Sequence, residues 1–339
     1  MNDVTSNSKA SHPRTVLILG AAGRLGYAAT LAFSRAGWRV VAQARRAPAA
    51  GWPAGVKHIT TPLQATAQLC SQAGPHTEAV VYAVNPVLTR WSQDMLPWAN
   101  AGMDVAQRLN ALFMLPGNVY PFGESMPPLI TAQTAIAPST VKGRLRADLE
   151  AEMHSRSTHG LRCTVLRAGD FFGGGPGAWF DLVIAKSLPQ GRLTYPGPLS
   201  AQHAWAYLPD LAQAMVRLAQ QNSLPAFSEF QFPGHAVTGE EFLAALTSAA
   251  TSLGVTPVKG FKHSRLPWPL IRVGSWVVPM WRELVEMEYL WRVPHALDGS
   301  DLQRQIGELP ATPLVDALTQ ALRALMTTRL SSQAAAQAA

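Results

Sequence analysis

The chain begins its ordered pattern with an apolar run, Thr15-Val-Leu-Ile-Leu19, that carries no polar break and ends at Gly20. The period then changes: Leu25, Ala28, Ala29, Ala32 and Phe33 recur at helical spacing until Gly37. A second apolar strand follows at once in Trp38-Arg-Val-Val-Ala42. Further runs appear at Glu78–Val84, ended by Asn85-Pro86, at Ala111–Leu115, closed by Pro116-Gly117, and at Arg162–Arg167. Helical patterns over about residues 95–108 and 140–155 separate them, the second expected to be capped by Ser139. Continuous apolar strands alternating with helices predict an α/β fold: a doubly wound parallel sheet of Rossmann type, with ligands at the carboxyl ends of its strands.

The pattern loosens past Phe172. A stretch rich in glycine and proline surrounds one short helix, Trp179–Ser187, and Tyr207-Leu-Pro-Asp210 opens an amphipathic helix to Gln220 in which Asp210 is read as the N-cap. Phe227–Phe232 reads as a further strand, and the remainder as mostly helical. The expected organisation is a disordered lead-in over 1–13, a dinucleotide-binding core over 14–175 to which 203–234 return, a smaller substrate-covering region over 176–202 and 235–330, and a frayed tail over 331–339.

Composition narrows the classes. With 339 residues, 47% hydrophobic and 14% charged, the chain can bury a large core. Its net charge of +7 comes from 28 scattered basic residues with no run longer than Arg45-Arg46, which argues against nucleic acid as a partner. Cys70 and Cys163 lie far apart in apolar contexts with no apolar leader ahead of them, as expected of free thiols in a cytoplasmic protein. No histidine or cysteine spacing suits a metal, and no Gly-x-Ser-x-Gly elbow occurs. No run is long enough to span a membrane. The nearest, Leu266–Val278, is interrupted by Pro269, Arg272 and Gly274 and reads as a pocket wall or subunit contact ahead of a membrane surface.

The first strand leads into Gly20-Ala-Ala-Gly-Arg-Leu-Gly26. Glycine suits such a turn because the backbone must bend tightly, approach a pyrophosphate, and leave the amides at the helix start aimed at phosphate. Candidate cofactor contacts are therefore Gly20, Gly23, Arg24, Leu25 and Gly26, with Ala83 and Asn85 at the exit of a neighbouring strand. A carboxylate after the second strand would accept from ribose hydroxyls, yet none occurs between Asp3 and Glu78. Arg45 and Arg46 stand there instead, suited to a 2′-phosphate, so NADP is expected ahead of NAD; the alternative is a solvated strand-end pair.

These pieces, with Asn118-Val-Tyr-Pro-Phe-Gly123, Lys142, Arg167-Ala-Gly-Asp-Phe-Phe-Gly173 and Tyr207-Leu-Pro-Asp-Leu-Ala212 in order, resemble an extended short-chain dehydrogenase/reductase of the NAD-dependent epimerase/dehydratase group. The resemblance covers most of the chain. It implies a tyrosine four residues before the helix lysine as proton carrier, a lysine holding the nicotinamide ribose, and dimers built through a helix such as 140–155. Here Pro138 fills the tyrosine position, none of the six tyrosines stands four before a lysine, and the usual Ser/Thr falls among Pro116, Gly117 and Asn118.

Three readings follow: an oxidoreductase acting on a small carbonyl or hydroxyl substrate with another proton donor, a silent NADP-binding sensor or partner-stabilising protein, or a non-redox isomerase or lyase. Candidate catalytic residues are Tyr120, Asp170 and Lys142, with His203 and Tyr207 nearby. Tyr120 is otherwise a ring packed against Phe122, Asp170 a loop cap, and Lys142 a charge on a solvated helix face. Trp179, Phe180, Trp205, Trp268, Trp276 and Trp281 either line a lipophilic pocket or fill the second region's core.

Overall fold

The apolar runs become strands because helices cover both of their faces. The computed structural model describes residues 13–337, with side chains as far as Thr327. Its main sheet contains β1 (Thr15–Leu19), β2 (Arg39–Gln43), β3 (Lys57–Ile59), β4 (Thr77–Tyr82), β5 (Leu112–Gly117), β6 (Cys163–Arg167) and β7 (Phe227–Gln231). They pair in the order β7-β6-β5-β4-β1-β2-β3, all parallel. Val16, Leu17, Ile18 and Leu19 are wholly excluded from solvent. Strand order reverses between β1 and β4, and that reversal opens a crevice at their carboxyl ends.

Side-chain alternation on β1 feeds two cores. Val16 and Ile18 meet α1 (Arg24–Arg35), whose Phe33 shares one cluster with Leu211 and Met215 of a later helix, whereas Leu17 and Leu19 meet α2 (Thr66–Ala73), α3 (Trp91–Arg108) and α4 (Val141–Ser157) on the other face. The later helix is α5 (Leu208–Ala219). A second region adds α6 (Gly239–Ser252), α7 (Trp268–Gly274), α8 (Pro279–Glu286), α9 (Ser300–Ile306) and α10 (Leu314–Gln337). Short strands join the two regions: Gln202–Tyr207 lies between Asp170–Phe172, parallel, and His235–Thr238, antiparallel.

Several local expectations change. Thr140, not Ser139, caps α4, its Oγ1 accepting from the Gly143 amide at 3.0 Å, while Ser139 Oγ accepts from the Glu124 amide. Asp210 is the third residue of α5 and not its cap; its carboxylate accepts from the amide and hydroxyl of Thr312 at 2.7 and 2.8 Å, tying α5 to the segment before α10. The 179–187 helix shrinks to one wide π turn, Phe180–Ile184. β3, α2 and His235–Thr238 lack the apolar periodicity that would have announced them, although Thr238 and Glu241 do form a reciprocal capping box at the start of α6. The backbone stays helical through 331–337, where alanine favours helix and fraying had been expected; the lead-in over 1–12 and residues 338–339 lie outside the described residues. Cys163 is buried and Cys70 half-buried, both free.

Four of the ten tryptophans serve the second core: Trp205, Trp268 and Trp291 pack with Phe172, Phe180 and Phe242, and Trp179 lies against them. Trp205 stacks on Phe242 with centroids 4.3 Å apart. Trp276 and Trp281 do not join it and are exposed.

Candidate functional site

The glycine turn closes β1 onto α1 and is built by backbone contact. Gly20 sits at φ +77°, and a Cβ there would lie 2.9 Å from the Ala83 carbonyl carbon, so the exit of β4 presses directly on the turn. A Cβ on Gly26 would overlap the Gly20 oxygen. At Gly23 the nearest atom would be that same oxygen at 3.3 Å, so of the three glycines this one is least required by the protein's own packing. Gln43, at the end of β2, was not anticipated. Its side-chain oxygen accepts from the Gly20 amide at 3.1 Å and its backbone oxygen from the Ala21 amide at 2.9 Å, bracing the entry to the turn.

Arg24 opens α1 beneath the glycine-rich loop after Phe172. A Cβ on Gly174 would lie 3.1 Å from the Arg24 oxygen, and Asp181 staples the loop by accepting from the amides of Gly177 and Ala178, each at 2.7 Å. The Arg24 Nη1 is buried without a hydrogen-bond partner among the described residues. Burial pulls its guanidinium pKa down, against the favourable fields of Asp181 and Asp170. Leu25 is buried in the α1 core. Arg45 and Arg46, just past β2, are exposed, and neither is among the ion pairs of the described residues. Ala83 continues the ladder through its amide to Leu19, and Asn85 is exposed beyond it.

The other end of the crevice gathers titratable groups from distant segments. His203 is buried; its Nε2 donates to Asp170 Oδ2 at 2.9 Å, since an ionised carboxylate can only accept. The His203 ring stacks on Trp291 at 4.4 Å and 3° and meets His295 edge-on at 4.7 Å. Tyr120 is half-buried below the start of α4, faces Trp91 with centroids 6.3 Å apart, and packs against the apolar cluster that holds Phe122, whose ring lies under Arg167. Burial, then the field of Asp170, pushes the Tyr120 hydroxyl pKa up, with Arg146 opposing. It is a proton holder at neutral pH.

Lys142 is not on a solvated face. Its side chain is 2% exposed, and its Nζ donates to Glu283 and Glu286 of α8, while the Lys142 amide donates to Glu286 at 2.9 Å. Both carboxylates stand one turn apart on α8, a spacing visible in sequence; the lysine they meet is 141 and 144 residues away, which no local pattern encodes. Glu150, on the same helix as Lys142, is also buried. Tyr207 donates to Gln320 at 3.0 Å and is held away from this cluster.

His295 supplies a pH dependence. Burial first, and His203 second, push its ring down to about 4 from the ordinary 6.5, so the fold holds it neutral. As pH falls below 6.5 the unfolded chain takes a proton that the fold refuses, so this contribution is complete above 6.5 and drains away toward 4. The expected loss is about 2 kcal/mol by pH 5. Urea denaturation at neutral and acid pH, in wild type and His295→Asn, measures it; equal acid sensitivity in both would assign the loss to other groups.

A doubly wound parallel sheet with a glycine turn at its switch point defines an α/β protein of the Rossmann dinucleotide-binding class. The chain belongs to the NAD dependent epimerase/dehydratase family, whose sequence model matches residues 16–228. No curated protein sequence matches the chain. Among solved structures it is similar to a UDP-glucose 4-epimerase, at 15% identity and a TM-score of 0.71, covering 92% of this chain and 97% of that one. It is likewise similar to L-threonine dehydrogenase from Clostridium difficile, at 16% identity and a TM-score of 0.70, covering 94% and 99%. The Bordetella bronchiseptica enzyme WbmH in complex with NAD+ matches at 16% identity and a TM-score of 0.69, covering 92% and 98%. No group of histidine, cysteine, aspartate and glutamate suited to a metal occurs among the described residues.

Proposed function

We propose that the protein binds a nicotinamide dinucleotide, NADP in preference to NAD, and acts as an oxidoreductase on a small carbonyl or hydroxyl substrate with Tyr120 as the proton donor. The observation that carries this reading is the pairing of a glycine turn, open at Gly23, with two exposed arginines at the end of the adjacent strand. The residues fit the group. The amides at the start of α1 suit a pyrophosphate, Arg45 and Arg46 a 2′-phosphate, and the partnerless Arg24 Nη1 a further anionic or hydroxyl oxygen. When bound, the dinucleotide would supply or accept hydride.

The chain's own part is the proton. Tyr120 keeps its hydroxyl protonated, and Asp170, held by His203, raises the cost of losing that proton, which suits donation to a developing alkoxide. His203 takes its fixed orientation from the Trp291 stack. Binding without turnover is the second reading, favoured by Lys142 being held by two carboxylates and so withdrawn from a ribose.

Titration by energy transfer from tryptophan decides between them. NADPH is expected to bind at least about tenfold tighter than NADH, and Arg45→Ala to erase the difference, since a charge-assisted contact contributes roughly 1.5–3 kcal/mol. Equal weak binding of both would remove the proposal. Across a carbonyl panel, Tyr120→Phe is expected to cut turnover about a hundredfold with binding unchanged; tight binding with no consumption of NADPH by any carbonyl selects the silent reading.

A further inference from the structure

The segment over α7 and α8 presents an apolar ridge to solvent. Leu270, Val273, Trp276, Val277 and Met280 recur at helical spacing, and are 68%, 74%, 87%, 81% and 40% exposed. The opposite side of the segment is already occupied. Trp268 is buried and donates from Nε1 to the Pro196 carbonyl at 2.6 Å, Ile271 is buried, and the Trp281 ring seats against Gly274 so closely that a Cβ there would overlap it. Trp268 and Ile271 thus pack into the second core, and the ridge does not.

Charge shows what the ridge suits. The carboxylates between residues 255 and 288 are Glu283, Glu286 and Glu288. The first two lie on Lys142 and the third on Arg272, so each has a cation partner within the protein. Lys259, Lys262, Arg265 and Arg282 are exposed, and none is in an ion pair among the described residues. Two cations, Lys142 and Arg272, meet those three carboxylates, so the four exposed cations leave the segment net positive. A second copy of the chain would set these cations against their own kind, which opposes self-association. An anionic bilayer supplies both an apolar layer and negative headgroups, and tryptophan favours that boundary.

We propose that α7 and α8 dock the protein on a membrane surface bearing anionic phospholipid, with Trp276 and Val277 at the headgroup boundary. No described helix is long and apolar enough to cross a membrane, so the segment lies on the surface. The proposal stands whether or not the site turns over a substrate.

Sedimentation with vesicles tests it, using equal parts phosphatidylglycerol and phosphatidylcholine against phosphatidylcholine alone. Wild type is expected to partition at least about tenfold more into the anionic vesicles, less so as salt rises. Trp276→Ser with Val277→Ser is expected to lower that partition about tenfold or more at an unchanged thermal midpoint, because both side chains are exposed. Lys262→Glu with Arg282→Glu is expected to abolish the preference for anionic lipid. Absence of wild-type binding to the anionic vesicles, or binding indifferent to the Trp276 and Val277 changes, overturns the proposal. So does a wild-type dimer in sedimentation velocity that the same double change splits, since a second copy then occupies the ridge.

Discussion

Gly26→Ala is expected to cost about 3 kcal/mol of stability and dinucleotide binding with it, whereas Gly23→Ala is expected to change stability by under about 1 kcal/mol and weaken binding about a hundredfold. The difference lies in what each added methyl would meet. At Gly26 it would overlap the Gly20 oxygen and come within 2.8 Å of the Ala21 Cα, both backbone atoms of the turn's opposite limb. Neither can swing aside as a flexible side chain can, so the turn itself must open. Gly23 is the N-cap of α1 at φ −71° and ψ 164°, an extended conformation any residue adopts. Its methyl would meet the Gly20 oxygen at 3.3 Å, which small shifts relieve.

The protein's interior therefore accounts for Gly20 and Gly26 but only weakly for Gly23. What Gly23 keeps clear is the approach to the first amides of α1, where the helix end favours a phosphate. Holding a pyrophosphate off by one methyl would lose one or two charge-assisted hydrogen bonds, roughly 1.5–3 kcal/mol each. Urea denaturation and NADPH titration on the same preparations separate the two effects. Wild-type affinity in Gly23→Ala would mean that this turn cradles no phosphate.

The same contrast explains which parts of the molecule were readable in sequence. The glycine turn and the strands β1, β4, β5 and β6 follow local rules, because continuous burial demands unbroken apolar runs and a tight turn demands glycine at fixed offsets. β3 did not announce itself: its Lys57-His-Ile59 is short and only Ile59 is buried, and its pairing to β2 is a consequence of the sheet and not of its own pattern. The polar residues of α4 illustrate the larger difficulty. Lys142, Arg146 and Glu150 look like a solvated face until α8, Trp91 and Arg167 are brought against them from other parts of the chain. Asp170 and His203 are both candidates by residue type, but their 2.9 Å contact depends on two strands that pair only in the folded protein. Residue type announced the chemistry there, and topology chose the partners.

Glu150→Ala is expected to cost about 3–5 kcal/mol of stability. Arg167, 1% exposed at the carboxyl end of β6, donates from Nη1 to both Glu150 oxygens at 2.6 Å and from Nη2 to Glu229 at 3.0 Å, with its guanidinium 5.1 Å above the Phe122 ring. Burial pushes the Glu150 carboxyl up, while Arg167 first and Arg146 second oppose it, so the carboxylate leans chiefly on Arg167. Removing Glu150 leaves a guanidinium out of water with only half-buried Glu229 beside it. Replacing both, as Glu150→Met with Arg167→Met, removes two desolvation penalties together and is expected to recover most of the loss, which a double-mutant cycle in urea would read directly. The register pairs Gly117 with Arg167, so this ion pair ties α4 to the strand end that leads to Asp170, beside the one that leads to Tyr120. If the double variant regains stability but not activity, the pair serves to aim those two residues; if the double variant is no more stable than Glu150→Ala alone, the unpaired charge was not the source of the cost.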